Sequence, residues 1–166
     1  MKTLFLVRHA KSSWMDLALP DFDRPLNDRG KRDVKLMPEY MVKNGENKPD
    51  GIVSSTAKRA LTTAKAFAKY FELDKSKINT ESSLYHADTD AIYQVIFGVP
   101  DEWNTAMLFG HNPGFTEMAN LFTDSHIVNV PTCGIVKINC KIDEWNQFSP
   151  GNSSLASFYF PKQFIK

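Results

Sequence analysis

Short apolar runs alternate along this chain with patterns typical of amphipathic helices, and this alternation constrains the fold more than any other feature. Runs that read as buried strands occur at Thr3–Val7, Gly51–Ser54 and Ala106–Phe109, and a weaker one surrounds Ile78. Strands that alternate with helices form βαβ units around a mainly parallel sheet. We therefore predict an α/β fold.

Two of the predicted helices begin after the first two strands. Asn27 can cap a helix with apolar residues on one face, and Pro38 within that helix predicts a kink or a break. Ser55 or Thr56 can cap the most regular helix of the chain. Its apolar positions recur at the helical period: Ala57, Ala60, Leu61, Ala64, Phe67, Ala68 and Phe71.

Two further helices are predicted later in the chain. Asp88 or Thr89 can cap a helix that ends near Gly98. Asn112 as cap and Pro113 at the first helical position predict another helix directly after the Ala106–Phe109 strand.

The last part of the chain predicts two antiparallel strands. Val136, Ile138, Cys140 and Ile142 alternate with polar residues, as in a strand with one solvated face. A turn-rich segment then separates this strand from a final strand at Leu155–Phe160. We expect residues 1–166 to form a single domain.

Composition excludes several classes of protein. The 166 residues are 42% hydrophobic and 23% charged, with a net charge of +1, so a general nucleic-acid or anionic-membrane binder is not expected. The apolar run before Arg8 is too short for a signal peptide, and no later segment has the length of a membrane span. The expected location is the cytoplasm.

Cationic and imidazole side chains follow three of the predicted strands. Arg8 and His9 follow the first, Arg59 lies in the first turn of the helix after the second, and His111 follows the Ala106–Phe109 strand. Ligands of open α/β sheets bind beyond the carboxyl ends of the strands, where helix N-termini also favour anions. Taken alone, Arg8 and His9 are as consistent with no function as with an anion site, because Arg8 could simply end the strand and His9 could be an ordinary loop histidine. Together, the four residues predict a dianion pocket suited to phosphoryl transfer through a histidine.

Four sequence blocks resemble the histidine phosphatase superfamily, and most closely its small SixA-like phosphohistidine phosphatases. The blocks are LVRHAKSSW at 6–14, DRPLNDRG at 23–30, SSTAKRALTTA at 54–64 and GHNPG at 110–114. Two positions depart from the family pattern. Ala10 stands where the family usually has Gly, and Thr56 stands where it usually has Pro.

The resemblance implies a phosphoglycerate mutase-like fold, which is a three-layer sandwich with helices on both sides of the sheet. It also implies that His9 is a nucleophile that accepts the phosphoryl group. Arg8 and Arg59 would bind the phosphoryl oxygens, and His111 would donate to them. No metal or other cofactor is expected, since arginines beside the histidines oppose a bound cation.

The group that protonates the leaving atom is less well defined by the sequence. Alignment with larger relatives places His86 near the carboxylate that they use, and Glu81 and Asp88 are alternatives. Asp88 also reads as a helix cap, and Glu81 as a solvated charge at a strand end. Ser12 matches a small hydroxyl residue of the family's first block. It can bind phosphate or merely stabilise its loop.

The function expected from the sequence is a phosphatase that acts on phosphomonoesters or on protein phosphohistidine through a phosphohistidine intermediate on His9. No segment is long enough to form a cap over the pocket, so a phosphorylated protein could enter it. The alternative is a catalytically weak, phosphate-binding regulatory module of the same fold. A mutase is less favoured, because it requires an enclosed site.

Overall fold

Six strands of residues 1–165, the part of the chain that this computed structural model describes, form a mixed sheet. The strands are β1 (Lys2–Arg8), β2 (Gly51–Ser54), β3 (Ile78–Thr80), β4 (Thr105–Gly110), β5 (Ile135–Cys140) and β6 (Ser153–Tyr159). The longer helices are α1 (Asp28–Lys43), α2 (Lys58–Tyr70), α3 (Thr89–Phe97) and α4 (Gly114–Asn120). Within the described range, no helix has both the length and the apolar character that crossing a membrane requires.

The strand order across the sheet is β3-β2-β4-β1-β5-β6. The first four strands of this order are parallel to one another, and β5 is antiparallel to both β1 and β6. The predicted α/β class, the mainly parallel sheet and the antiparallel pair near the C-terminus are thereby confirmed.

Side-chain alternation along the strands divides the core into two layers. Leu4 and Leu6 of β1 belong to the layer that also contains the apolar faces of α3 and α4. Phe5 and Val7 belong to the opposite layer, which contains those of α1 and α2. Because successive strand residues point to opposite faces, one short apolar run contributes to both layers. The result is the expected three-layer sandwich.

Helix α1 begins where the sequence predicts. The Asn27 side chain accepts a hydrogen bond from the Gly30 N–H at 2.9 Å. The expected break at Pro38 is absent, since α1 continues through this residue to Lys43. Proline removes one main-chain hydrogen bond. The buried side chains of Met37 and Met41, on either side of Pro38, anchor the helix to the core.

Two other helix starts differ from the prediction. Ala57, without a side-chain cap, precedes α2, and the Ser55 hydroxyl contacts the Ala57 N–H at 3.2 Å. Helix α4 begins one residue later than expected, after Pro113. The Asn112 side-chain oxygen still accepts a hydrogen bond from the Thr116 hydroxyl at 2.9 Å. Asp88 caps α3 as predicted, by accepting from the Ala91 N–H.

Candidate active site

The carboxyl ends of β1, β2 and β4 bring His9, Arg59 and His111 together. Since β4 lies between β1 and β2, the residues that follow all three strands emerge at one edge of the sheet. The His9 N–H donates to the Gly110 carbonyl at 3.1 Å, which ties the two strand ends together. The His9 and His111 ring centroids are 5.2 Å apart.

The surroundings of His9 fix its tautomer. Its Nδ1 lies 2.8 Å from the Ala10 carbonyl oxygen, which can only accept, so Nδ1 carries the proton. Nε2 then has a free lone pair, which accepts from the Arg59 Nε–H at 3.3 Å. Burial first, and then the charges of Arg59 and Arg8, lower the pKa of His9 to about 4, against a partly opposing hydrogen bond to Ala10. The imidazole is therefore neutral at neutral pH, and its lone pair faces a guanidinium group.

Arg59 is buried and is held by Asp21, an acidic residue of the loop between β1 and α1. The Arg59 Nη1 donates to the Asp21 main-chain oxygen at 2.7 Å, and Nη2 donates to Asp21 Oδ2 at 3.0 Å. The Tyr85 hydroxyl donates to the same Oδ2 at 2.6 Å. The hydrogen bond from Tyr85, followed by the charge of Arg59, lowers the pKa of the Asp21 carboxyl.

Ser55 supports His111 from the end of β2. The Ser55 hydroxyl accepts from the Ala57 N–H and lies 2.8 Å from His111 Nε2, to which it can donate its own hydrogen. In that arrangement the proton of the ring is on Nδ1, a buried atom with no hydrogen-bond partner among residues 1–165. Burial first, and then the charges of His9 and Arg59, lower the pKa of His111 to about 3.

Arg8 contributes a second guanidinium group beside His9. Its Nη1 donates to the Val130 carbonyl at 2.9 Å, whereas its Nε is buried without a partner in the described part of the chain. Burial and the nearby Arg59 charge lower the pKa of Arg8. An unpaired buried donor is unfavourable unless something binds it, so both Arg8 and His111 have hydrogen-bonding capacity available to an anion.

Thr63 of α2 connects the loop after β1 to the start of that helix. Its hydroxyl accepts from the Ala10 N–H at 3.0 Å and donates to the Arg59 carbonyl at 2.7 Å. The φ angle of Ala10 is not positive, so its Cβ introduces no strain at the position where the family usually has glycine.

The candidates for proton donation lie in different surroundings. His86 is exposed with its ring 3.9 Å from that of Tyr85, and its charge is one of the causes that lower the pKa of His111. Glu81 is exposed and lines a separate groove with Val95 and Val99. The Asp88 carboxylate is engaged at the start of α3. Of the three, His86 is therefore the one beside the site.

Ser12 lies in the loop after β1, away from hydrogen-bonding contact with the four site residues. Ser12 is buried, and its main chain forms an antiparallel bridge with Leu26. Within residues 1–165, its side chain forms no hydrogen bond with Arg8, His9, Arg59 or His111, and no cluster of three or more His, Cys, Asp or Glu residues could hold a metal ion.

The comparison with protein families identifies the class. The model of the histidine phosphatase superfamily (branch 1) matches residues 4–88, a segment that contains His9, Asp21 and Arg59. The chain belongs to the histidine phosphatase superfamily. His111 lies beyond the matched segment, and its place in this histidine phosphatase site rests on the geometry above.

Solved structures place this histidine phosphatase in the SixA-like branch. The proposed phosphohistidine phosphatase SixA of Agrobacterium tumefaciens is 25% identical, with a TM-score of 0.77 over 96% of this chain and 98% of that one. A protein histidine phosphatase SixA complexed with tungstate has a TM-score of 0.81 at 18% identity, over 98% of this chain and 99% of that one, and shows the shared fold. Family and neighbours together support phosphatase activity.

Two curated relatives extend the match along the chain. An uncharacterized chloroplastic protein of Arabidopsis thaliana is 29% identical over 99% of this chain and 80% of its own length. An uncharacterized protein of Mycobacterium leprae is 27% identical over 94% of this chain and 100% of its own.

Sequence reasoning did not select Asp21 as a functional residue. The loop between β1 and α1 contains three aspartates, at positions 16, 21 and 23, and nothing in the local pattern distinguishes them. The distinction arises from the fold, which places the start of α2 and the residues after β3 against this loop. Ser55 was likewise expected as a helix cap, whereas its hydroxyl also contacts His111.

Proposed function

We propose that this protein is a phosphatase that transfers a phosphoryl group to His9 Nε2 and then to water. The observation that carries this proposal is the tautomer of His9. Its proton is held at Nδ1 by the Ala10 carbonyl, so Nε2, which faces Arg59, carries the lone pair that attacks phosphorus. The guanidinium groups of Arg8 and Arg59 lie beside it, and such groups bind phosphoryl oxygens.

Two balanced displacements at phosphorus account for the reaction. In the first, the Nε2 lone pair forms a bond to phosphorus, and the bond to the leaving nitrogen or oxygen breaks, with its electron pair going to the leaving group. In the second, a water oxygen bonds to phosphorus, the P–N bond to His9 breaks, and the electron pair returns to the imidazole. The water proton passes to the group that protonated the leaving atom in the first displacement, which restores that group, and inorganic phosphate leaves.

Stabilisation of charge is the main contribution that we assign to Arg8, Arg59 and His111. The transferring group distributes negative charge over its equatorial oxygens, and preorganised donors in a water-poor site stabilise that charge. The unpaired Arg8 Nε and His111 Nδ1 support this assignment, since both are buried polar atoms without a protein partner in residues 1–165. Ser12 is proposed as a further contact to phosphate from the same loop.

His86 is the group that we propose as the proton donor to the leaving atom. Its ring lies 3.9 Å from that of Tyr85, and the Tyr85 ring lies 5.4 Å from that of His111, which supports this choice over Glu81 and Asp88. An exposed position at the rim also suits a donor that must reach a leaving group on a second molecule.

A phosphorylated protein bearing phosphohistidine is the substrate that we favour, with small phosphomonoesters as the wider class. We propose that residues 1–166 form a single histidine phosphatase domain without a cap. The named activity of the SixA neighbours supports the protein substrate. Aromatic side chains of Phe22 and Tyr85, with ring centroids 5.2 Å apart, provide an apolar rim beside the proposed nucleophile.

The experiment compares wild type with His9→Ala, with His126→Ala as the control. His126 is an exposed histidine outside the site. Each protein is assayed for phosphate release from an aryl phosphate and from a phosphohistidine protein, and for an acid-labile, base-stable phosphoenzyme. We expect wild type and the control to show both, and His9→Ala to show neither. Equal rates in wild type and His9→Ala contradict the proposal. Phosphate binding without turnover on either substrate would instead favour the regulatory module.

A further inference from the structure

Three hydrogen bonds hold the guanidinium group of Arg59 in a defined position. Two run to Asp21, one to its main-chain oxygen and one to its carboxylate, and the third runs from Nε to His9 Nε2. The third bond is notable, because it occupies the same lone pair that nucleophilic attack requires. In this arrangement Arg59 therefore caps the proposed nucleophile.

The Asp21 carboxylate is the anion to which Arg59 is bound. Its Oδ2 accepts from both Arg59 and Tyr85, and its Oδ1 lies 3.9 Å from Arg24 Nε. The hydrogen bond from Tyr85 and the Arg59 charge favour the ionised carboxylate. Asp21 thus presents to Arg59 the same kind of oxygen that a phosphoryl group would present.

We infer that Asp21 is a positioning residue that competes with phosphate for Arg59, and that it thereby promotes release of the phosphate product. This inference rests on the proposed function and concerns the same site. A guanidinium N–H cannot donate fully to a carboxylate and to a phosphoryl oxygen at once. A phosphoryl group bound in front of His9 takes the Nε–H of Arg59 from the imidazole, which frees the lone pair of His9, and it competes with Asp21 for the Nη donors of the same guanidinium group. When inorganic phosphate forms, the Asp21 carboxylate is the adjacent competitor that takes these donors back.

The charge of Asp21 adds to this competition. Arg8 and Arg59 together carry two positive charges, and the ionised Asp21 reduces the net charge beside His9 to one. Phosphate bound to Arg59 also lies close to a like charge, which weakens its binding. Since the Asp21 side chain is 45% exposed, solvent screens part of this effect. We expect removal of the carboxylate charge to tighten phosphate binding by about tenfold, the equivalent of one charge-assisted contact.

The test measures binding of inorganic phosphate by calorimetry to wild type, Asp21→Asn and Asp21→Ala. Asp23→Asn is the matched control, because Asp23 is an exposed aspartate two residues away and forms no ion pair within the described residues. We expect tighter binding by about tenfold in both Asp21 variants and unchanged binding in the control. General damage to the site would weaken phosphate binding. A gain in phosphate affinity therefore indicates that Asp21 competes with phosphate for Arg59.

Unchanged or weaker phosphate binding in both Asp21 variants would overturn the inference. The same would follow if Asp23→Asn tightened binding equally, since the effect would then reflect net charge alone. A second readout is the ¹⁵N chemical shift of His9 Nε2, which should move in the Asp21 variants as the Arg59 hydrogen bond weakens. Neither measurement requires turnover, so the outcome is separate from that of the His9→Ala experiment.

Discussion

Lowering the pH from 7 to 5 is expected to destabilise this protein through its two buried site histidines. Burial and neighbouring positive charges hold the pKa of His9 at about 4 and that of His111 at about 3, against 6.5 for an ordinary histidine. Both rings are therefore neutral in the folded protein at pH 5, whereas both are mostly protonated in the unfolded chain. Because the unfolded state binds more protons in this range, stability falls with the pH.

The magnitude follows from the difference between these pKa values. Each ring contributes stability that is fully present above pH 6.5 and is lost as the pH falls toward its folded pKa. Between pH 7 and pH 5 this loss is about 2 kcal/mol for each histidine, or about 4 kcal/mol for the pair. Such a loss is a large part of the 5–15 kcal/mol that separates typical folded and unfolded states. With a urea m-value of about 2 kcal/mol/M, the unfolding midpoint should fall by about 2 M.

Urea unfolding at pH 7 and pH 5 checks this expectation. The comparison is between wild type, the double variant His9→Gln/His111→Gln, and His126→Gln. The double variant should lose most of the pH dependence, whatever its stability at pH 7. His126→Gln should behave like wild type, because this histidine is exposed. If the double variant lost as much stability on acidification as wild type does, the argument from burial of the two rings would be refuted.

Two further substitutions test the framework around the site. Thr63→Val removes the acceptor of the buried Ala10 N–H, so it should destabilise the fold by about 1–3 kcal/mol and slow turnover. Thr62→Val, at an exposed neighbouring position, should change turnover little. Equal losses in the two variants would contradict a role for the bond between Thr63 and Ala10. Gly30→Ala would place a Cβ against a main-chain oxygen of the loop after β1 and should cost about 1–3 kcal/mol in urea unfolding. Gly151→Ala, where a Cβ meets nothing closer than 3.6 Å, is its control, and a smaller loss for Gly30→Ala than for this control would contradict the predicted clash.

Sequence patterns predicted most of the scaffold because burial leaves a regular signal. The continuous apolar run of β1 and the apolar face of α2 each specify an element type and a buried surface. Strand ends then place Arg8, His9, Arg59 and His111 at one edge, since parallel strands bring their carboxyl ends together. These residues could be grouped before the structure was known, and their roles in the reaction stay predictions.

Contacts made by loops leave no regular pattern of apolar residues in the sequence. The bonds from Asp21 to Arg59 and Tyr85 join residues 38 and 64 positions apart, and loop conformation decides which aspartate makes them. Of the kink or break predicted at Pro38, the break did not occur, since α1 continues through this residue. Packing of the surrounding methionines into the core compensates for the one hydrogen bond that proline removes.

The position of β4 between β1 and β2 has a consequence for how the protein is made. His9 and Arg59 follow strands that are not neighbours in the sheet, and the strand that joins them is formed by residues 105–110. A nascent chain that has not yet reached this strand can form the first helices, but it cannot align the histidine with its arginine. The proposed anion site therefore forms only when the central sheet closes around β4.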